Sequence, residues 1–471
     1  MKKKVEVPQL TAVGVTSGIG SMLHGAAKAG FKTLGNIEWR KYYHARDERG
    51  RNTFTENFPG AVFKHKWSDL TPEEVERLMN PTLALMHCEC GNFSKLNGAN
   101  ADRLEDLTDP GDIPITFEVV AKLQPRFFAA DNLAPSFQAF SMRDYVDALP
   151  DYDIFPEAVS NWGYGNVQKK RDRMFVLGAK KEEGFTFRPD EHAHSGTVRS
   201  VLEGLGEPGK SNYPNHDPHA LDVISPRSTN ILRLGKSENW RVVRDWFAAR
   251  PPGTIMEYLN KDGELKKRIG FLKAKWDGPC NVLTGGNATI HPIRNVPFTI
   301  RERARIQGFD DDFVFYGTKL DEKGQWVHEN NMHMVKMTGK AMPIQFNEYF
   351  ARQVAAHVLR QPFKAAGTRL LKNDPFIDEA KTWFCDNVGY SKQEAACGAC
   401  WLAEECEVRR RRFGYTPPPE AAVRKVPKAP AVKAEKVPNA PKAPKAPRAV
   451  KAPKETIAPA GATATTMLKF D

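Results

Sequence analysis

Four short apolar runs, each stopping where a polar motif begins, constrain this chain more than any other feature. Leu10 to Val15 runs into Ser17-Gly18-Ile19-Gly20, Thr33 to Ile37 into Glu38, Pro81 to Met86 into His87-Cys88-Glu89-Cys90, and Arg126 to Ala130 into Asp131-Asn132. Runs of this length suit strands buried on both faces. The stretch after Gly20, as far as about Lys28, reads as helix. Another helix starts at Thr71-Pro72-Glu73-Glu74, which supplies a capping residue, a proline in the first turn and a glutamate three places on. Strands alternating with helices predict an α/β fold, a doubly wound parallel sheet with helices on both faces. Ligands of such folds bind at the carboxyl ends of the strands. All the polar motifs fall there, and Cys90, on a polar loop straight after a buried strand, reads as a positioned nucleophile.

Length and charge frame the rest. A chain of 471 residues buries at least one large core and has room for two domains. The stretch from about Lys181 to Ile293 is rich in Gly, Pro, His and Asn and reads as a loop-rich inserted domain, after which helical sequence resumes at Phe298. The expected division is therefore 1–180, an insertion over 181–296, a return to the first domain over 297–361, a cysteine-bearing helical module over 362–415 and a tail over 416–471. The net charge is +12, but between Arg409 and Glu455 fourteen Lys and Arg face only three Glu. The charge therefore speaks for the tail and not for the folded body. The Lys, Pro and Ala tract cannot bury a core and should be disordered. It would either add salt-sensitive affinity for nucleic-acid phosphates or serve as a solvated linker. Seven cysteines, two of them one residue apart, do not form an extracellular disulfide framework, so a reducing cytoplasm is expected. No segment resembles a signal peptide or a membrane span, so no membrane partner is expected.

Taken singly, most motifs have a bland reading beside the functional one. Ser17, Gly18 and Gly20 let backbone approach a ligand at a helix start, and equally serve a tight strand-to-helix turn. Glu38 suits ribose hydroxyls, and Asp69 suits an adenine amine, yet each could be a solvated carboxylate or a cap. Arg171 and Arg173 alone would be an exposed charge cluster at a strand start. Cys385, Cys397, Cys400 and Cys406 are spaced by eleven, two and five residues. That suits zinc or an iron–sulfur cluster, against four reduced helical cysteines. Cys88 and Cys280 have no evident partner and read as structural.

In order along the chain, the motifs resemble the DNA cytosine-5 methyltransferase family over about residues 8 to 360. Thr11 to Ser21 looks like its first motif, and Glu38 with Asn57 and Phe58 like its second. Cys90 with Phe93 and Ser94 looks like its nucleophile loop, Asp131-Asn132-Leu133 like its acid motif and Arg171-Asp172-Arg173 like its paired arginines. Asn287 to Pro292 and Phe298 to Phe309 are similar to the segment closing its recognition domain, and Gly339 to Pro343 to its last cofactor motif. The resemblance implies a Rossmann-like domain that binds S-adenosylmethionine through Ser17, Gly18, Ile19, Gly20, Glu38, Trp39, Asp69, Leu70 and Lys340. The inserted domain would recognise the target. It implies that Cys90 adds to carbon 6 of a cytosine flipped from double-stranded DNA, that Asp131 protonates ring nitrogen 3, that Arg173 holds the base carbonyl and that Arg171 supports the cysteine loop. A monomer on DNA, in a bacterial or phage-infected cytoplasm and in a restriction–modification setting, is the corresponding expectation. Separately, Cys397-Gly398-Ala399-Cys400 with Cys406 and Arg409 to Arg412 locally resembles the end of WhiB-like iron–sulfur regulators.

Four departures from the family pattern bear on chemistry. Glu89 stands where proline is usual, Asp131 where glutamate is, Lys340 where asparagine is and Thr16 where phenylalanine is. A carboxylate at Glu89 about 6 Å from a Cys90 thiolate repels it by roughly 3 kcal/mol at an effective dielectric of about 20. Lys340 offsets this if its motif folds back against the cysteine loop. Asp131 is one methylene short, and a displacement of about 1 Å costs on the order of 100-fold in rate. Lys340 also admits a donor carrying a carboxylate, carboxy-S-adenosylmethionine, which would yield carboxymethylcytosine. The same motifs leave room for an RNA cytosine-5 methyltransferase, which shares the pocket, and for a non-catalytic DNA-binding homologue with a decayed site.

Overall fold

The computed structural model describes residues 8–47, 49–90, 112–133, 148–194, 196–216, 239–259, 265–285, 288–317, 319–320, 326–327, 331–368 and 370. The apolar runs form the strands of a seven-stranded sheet: β1 (Thr11–Val15), β2 (Lys32–Ile37), β3 (Val62–Lys64), β4 (Leu83–His87), β5 (Phe127–Asn132), β6 (Tyr152–Ser160) and β7 (Asp172–Lys180), in the order β3-β2-β1-β4-β5-β7-β6. β1 to β5 pair in parallel. The chain leaves β1 toward β2 on one side and returns to β4 on the other, so a crevice opens outside the carboxyl ends of β1 and β4.

Side chains alternate along each strand, and the alternation separates two cores. Ala12, Leu83, Leu85, Phe127 and Ala129 lie with Met22 and Leu23 of α1 (Ser21–Lys28), with Phe54 of α2 (Thr53–Asn57) and with Phe346, Phe350 and Val354 of α9 (Ile344–Val358). Val13, Val15, Ala84, Met86, Phe128 and Ala130 lie with Leu78 of α3 (Pro72–Leu78) and with Phe117, Val120 and Leu123 of α4 (Ile113–Leu123). The helix expected at Thr71 starts there, with the Thr71 hydroxyl accepting from Glu74 N–H and the Glu74 carboxylate accepting from Thr71 N–H. α1 and α9 cross at Gly25, where a Cβ would come within 2.9 Å of the Ile344 carbonyl.

The sheet is mixed, which corrects the expectation of an all-parallel one. β7 runs antiparallel to both β5 and β6. The physical reason is the connection between β6 and β7, residues 161–171, which holds only a short 3-10 turn at Asn161–Tyr164. A parallel return needs a crossover of a dozen or more residues. The reversal matters for the site, because it sets the start of β7, with Arg171 and Arg173, beside the carboxyl end of β5.

Beyond β7 come α5 (Val198–Leu202), α6 (Asn239–Ala248) and a separate three-stranded sheet of β8 (Ile255–Leu259), β9 (Leu265–Lys273) and β10 (Ala288–Ile290). Then follow α7 (Ile300–Gln307), capped by Thr299 and Glu302, the two-stranded β11 (Lys319–Leu320) and β12 (Trp326–Val327), and α8 (Asn331–Lys340), which leads into α9. Phe93, Ser94, Asn287, the four C-terminal cysteines Cys385, Cys397, Cys400 and Cys406, and the basic tail lie outside the described residues.

Candidate active site

The crevice at the ends of β1 and β4 is built from a turn that few residues tolerate. Thr16, Gly18 and Gly20 have φ of +50°, +61° and +87°. A Cβ on Gly20 would lie 2.5 Å from the Phe58 ring. Thr16, β-branched and buried, is held in a left-handed conformation that costs about 1–3 kcal/mol, and such strain gathers at ligand sites. The buried Ser17 hydroxyl has no partner among the described residues. Ile19 is buried beneath the turn. Glu38, fully buried at the end of β2, accepts from Gly18 N–H at 2.7 Å. Trp39 and Leu70 are partly buried against the core alongside Trp67. Asp69 is exposed and caps its own turn, accepting from Lys66 N–H at 3.0 Å.

Arg40 threads this crevice. Its Nε donates to Glu38 Oε1 and its Nη2 to Glu38 Oε2, both at 2.7 Å. Nη2 also donates to the Thr16 carbonyl and, at 3.2 Å, to the His87 carbonyl, so one guanidinium joins the ends of β1, β2 and β4. Its Nη1 lies 3.9 Å from Glu89.

The second half of the site gathers at β4, β5 and β7. Cys90 is half-buried, two residues past a fully buried Cys88 whose thiol burial pushes well above its usual range. Burial likewise pushes the Cys280 thiol up, to about 12. Glu89 N–H donates to both carboxylate oxygens of Asp112, at 2.9 and 3.1 Å, which pins the start of the cysteine loop to the head of α4. The Lys340 ammonium donates to Glu89 at 3.1 Å and lies 5.3 Å from the Tyr42 ring centre. Lys340 thus does fold back against the neighbour of Cys90. Asp131 lies opposite His87 in the β4–β5 register, with its Oδ1 in a 2.6 Å hydrogen bond to His87 Nδ1. Its other oxygen, Oδ2, is buried without a hydrogen-bond partner among the described residues, and so is Arg173 Nε, 3.7 Å away.

Arg171 does different work. Its guanidinium donates to the carbonyls of Leu283, Gly339 and Ala341, at 2.6, 3.3 and 2.7 Å. Burial, with the like charge of Arg173 beside it, pushes this guanidinium down to about 9. Arg303 joins the same seam through Thr338 Oγ1 and the Thr284 carbonyl. At Gly339 a Cβ would lie 2.2 Å from the Thr284 backbone. These contacts seat the end of α8, and with it Lys340.

Sequence reasoning passes over Arg40, His87 and Asp112. Arg40 carries a signal, an arginine two places after the buried acid. His87 and Asp112 become legible only once strand register and the head of α4 are known. Among the described residues no group of His, Cys, Asp and Glu could hold a metal ion, and no helix is long and apolar enough to cross a membrane.

Comparison with known proteins bears on the family and the fold. The profile of the C-5 cytosine-specific DNA methylase family matches residues 10–356. The chain is 20% identical to Type II methyltransferase M.Sau96I of Staphylococcus aureus, over 71% of this chain and 75% of that one. It is 25% identical to Type II methyltransferase M1.HphI of Haemophilus parahaemolyticus, over 67% and 82%. The crystal structure of an Escherichia coli prophage protein described as a DNA modification methyltransferase superposes with a TM-score of 0.50 at 22% identity, covering 73% of this chain and 98% of that one. That likeness bears on the fold alone, and the fold is shared. The family profile covers most of the chain and all the motifs gathered at the sheet's carboxyl edge, and the chain belongs to the C-5 cytosine-specific DNA methylases, enzymes that methylate carbon 5 of cytosine in DNA.

Proposed function

We propose that Cys90 is the nucleophile of this DNA cytosine-5 methyltransferase and that Asp131 and Arg173 hold the flipped base. The observation that carries the reading is a buried ion pair, Asp131 Oδ2 and Arg173 Nε, 3.7 Å apart at the strand end that follows Cys90's own strand, in which neither atom has a hydrogen-bond partner among the described residues. Buried polar atoms left unpaired are costly, and the edge of a cytosine offers partners to both.

The crevice residues fit S-adenosylmethionine. The unpartnered Ser17 hydroxyl, the left-handed glycine turn and the buried Glu38 carboxylate suit a nucleoside, and Trp39 and Leu70 would supply apolar surface for its base. S-adenosylmethionine, when bound, supplies an electrophilic methyl group. Arg40 must then share or release Glu38. Toward the base, the Cys90 thiolate adds to carbon 6, and a proton moves from Asp131 to ring nitrogen 3, so the ring's gained electron pair activates carbon 5. Arg173 donates to the base carbonyl. Loss of the carbon 5 proton and departure of Cys90 restore the ring. Arg171 acts as a positioning residue for the Lys340 turn.

The Glu89–Lys340 pair favours the plain methyl donor. The ammonium already has its anion at 3.1 Å, so no carboxylate on the donor is needed to balance it. The bacterial sources of the similar Type II methyltransferases support a bacterial or phage-infected cytoplasm, and the substrate we propose there is double-stranded DNA, bound by a monomer. In an expressing host, nucleoside mass spectrometry should find 5-methylcytosine with the native protein and none with Cys90→Ala. Equal 5-methylcytosine in both would contradict the assignment.

A further inference from the structure

The shorter acid needs an explanation, and the structure supplies one outside the residues that face the base. His87 and Asp131 are register partners at the ends of β4 and β5, both buried, with Nδ1 and Oδ1 only 2.6 Å apart. The contact occupies one carboxylate oxygen and leaves the other, Oδ2, as the buried atom without a hydrogen bond that faces Arg173. His87 is itself held from behind, since its carbonyl accepts from Arg40 Nη2. Around the pair stand Arg173 and Arg171, with Cys90 next along β4's chain.

We infer that His87 is the positioning residue for Asp131: its Nδ1–H donates to Oδ1 and so fixes the carboxyl group with Oδ2 as the oxygen aimed at ring nitrogen 3. Once Oδ2 has passed the acid's proton to the base, the carboxylate keeps the imidazole N–H as its donor. His87 thereby occupies the room that a glutamate's extra methylene would take. This inference rests on Asp131 being the acid.

Such a contact makes the two positions interdependent, which a purely structural histidine would not be. In single-turnover methylation of duplex DNA, His87→Ala and Asp131→Glu should each slow the reaction about 100-fold, the first by freeing the carboxylate and the second by driving a longer side chain into the imidazole. Combined, they should recover to within about tenfold of the native rate, because the space vacated at His87 admits the glutamate. His87→Asn, which keeps an N–H near the Nδ1 position, should stay within a few-fold of native. A His87→Ala enzyme at the native rate, or a double variant slower than either single one, overturns the inference. Asp131→Ala separates the two readings. If it is slow while His87→Ala is fast, His87 alone is misassigned; if it is fast, the acid role fails and this inference with it. Should the alanine variant not fold, the unaltered protein gives the answer: the Nδ1 proton should appear as a downfield exchangeable proton resonance that Asp131→Asn abolishes, and its absence from the native protein overturns the inference.

Discussion

At the scale of single residues, the site compensates for its own departures. Glu89 places a negative charge beside Cys90, and Lys340 answers it at 3.1 Å, with Arg40 at 3.9 Å. The pair is half-exposed, so its worth is about 1 kcal/mol. Lys340→Gln should therefore slow single-turnover methyl transfer about fivefold, and adding Glu89→Gln should restore it; an undiminished Lys340→Gln enzyme would show that Arg40 suffices. The Glu38–Arg40 pair is deeper, and Arg40→Ala leaves a buried carboxylate without its cation, which should cost about 3 kcal/mol in urea unfolding. His291 sets an acid limit. Its Nδ1 accepts from Ile293 and Arg294 N–H, each at 3.2 Å, and burial pushes the ring down to about 3. The unfolded chain takes up this proton below about pH 6.5 while the folded one does not, so stability falls as pH drops from 6.5 toward 3, by about 2 kcal/mol at pH 5. The gap between urea midpoints at pH 7 and pH 5 should narrow in His291→Gln, the remainder belonging to other buried histidines such as His333, which burial pushes down to about 4, and an unchanged gap would show that His291 does not contribute. Cys90, Glu38 and Asp131 were legible because each follows or ends an apolar run. His87 and Arg40 were not, because a hydrogen bond across two strands depends on register, which the run lengths do not encode.

At the scale of elements, the direction of one strand decides the site. The strands β1, β2, β4 and β5 and the helix at Thr71 could be read from apolar runs and a capping pattern, since these are local signals. The antiparallel β7 could not, because it depends on the length of the connection from β6. Without the reversal, Arg173 would sit at the opposite edge of the sheet from Asp131. The seam at α8 is equally unforgiving. Gly339→Ala forces a Cβ to within 2.2 Å of the Thr284 backbone, and overpacking of that kind costs about 1–3 kcal/mol. A lowered melting temperature together with slower methyl transfer is expected; an unaltered melting curve would mean that the seam yields freely.

At the scale of the whole molecule, the positive charge is concentrated in the C-terminal tail. Fourteen Lys and Arg between Arg409 and Glu455 carry nearly all the net charge. Removing residues 409–471 should weaken DNA binding most at low salt and flatten its salt dependence, while leaving the methylated sequence unchanged. A truncated chain with the same salt slope would show that phosphate contacts come from elsewhere. The identity of the recognised bases was not legible, since bases are read by individual side-chain contacts that no run length or spacing encodes. The central claim, a covalent Cys90 adduct on the route to 5-methylcytosine, is tested most directly by mass spectrometry of the protein after incubation with S-adenosylmethionine and a duplex carrying 5-fluorocytosine at its target. Fluorine at carbon 5 blocks the final elimination, so the expected result is a stable protein–DNA adduct bearing one added methyl group, mapped to the peptide containing Cys90. No adduct, or one on Cys88 in its place, would contradict it.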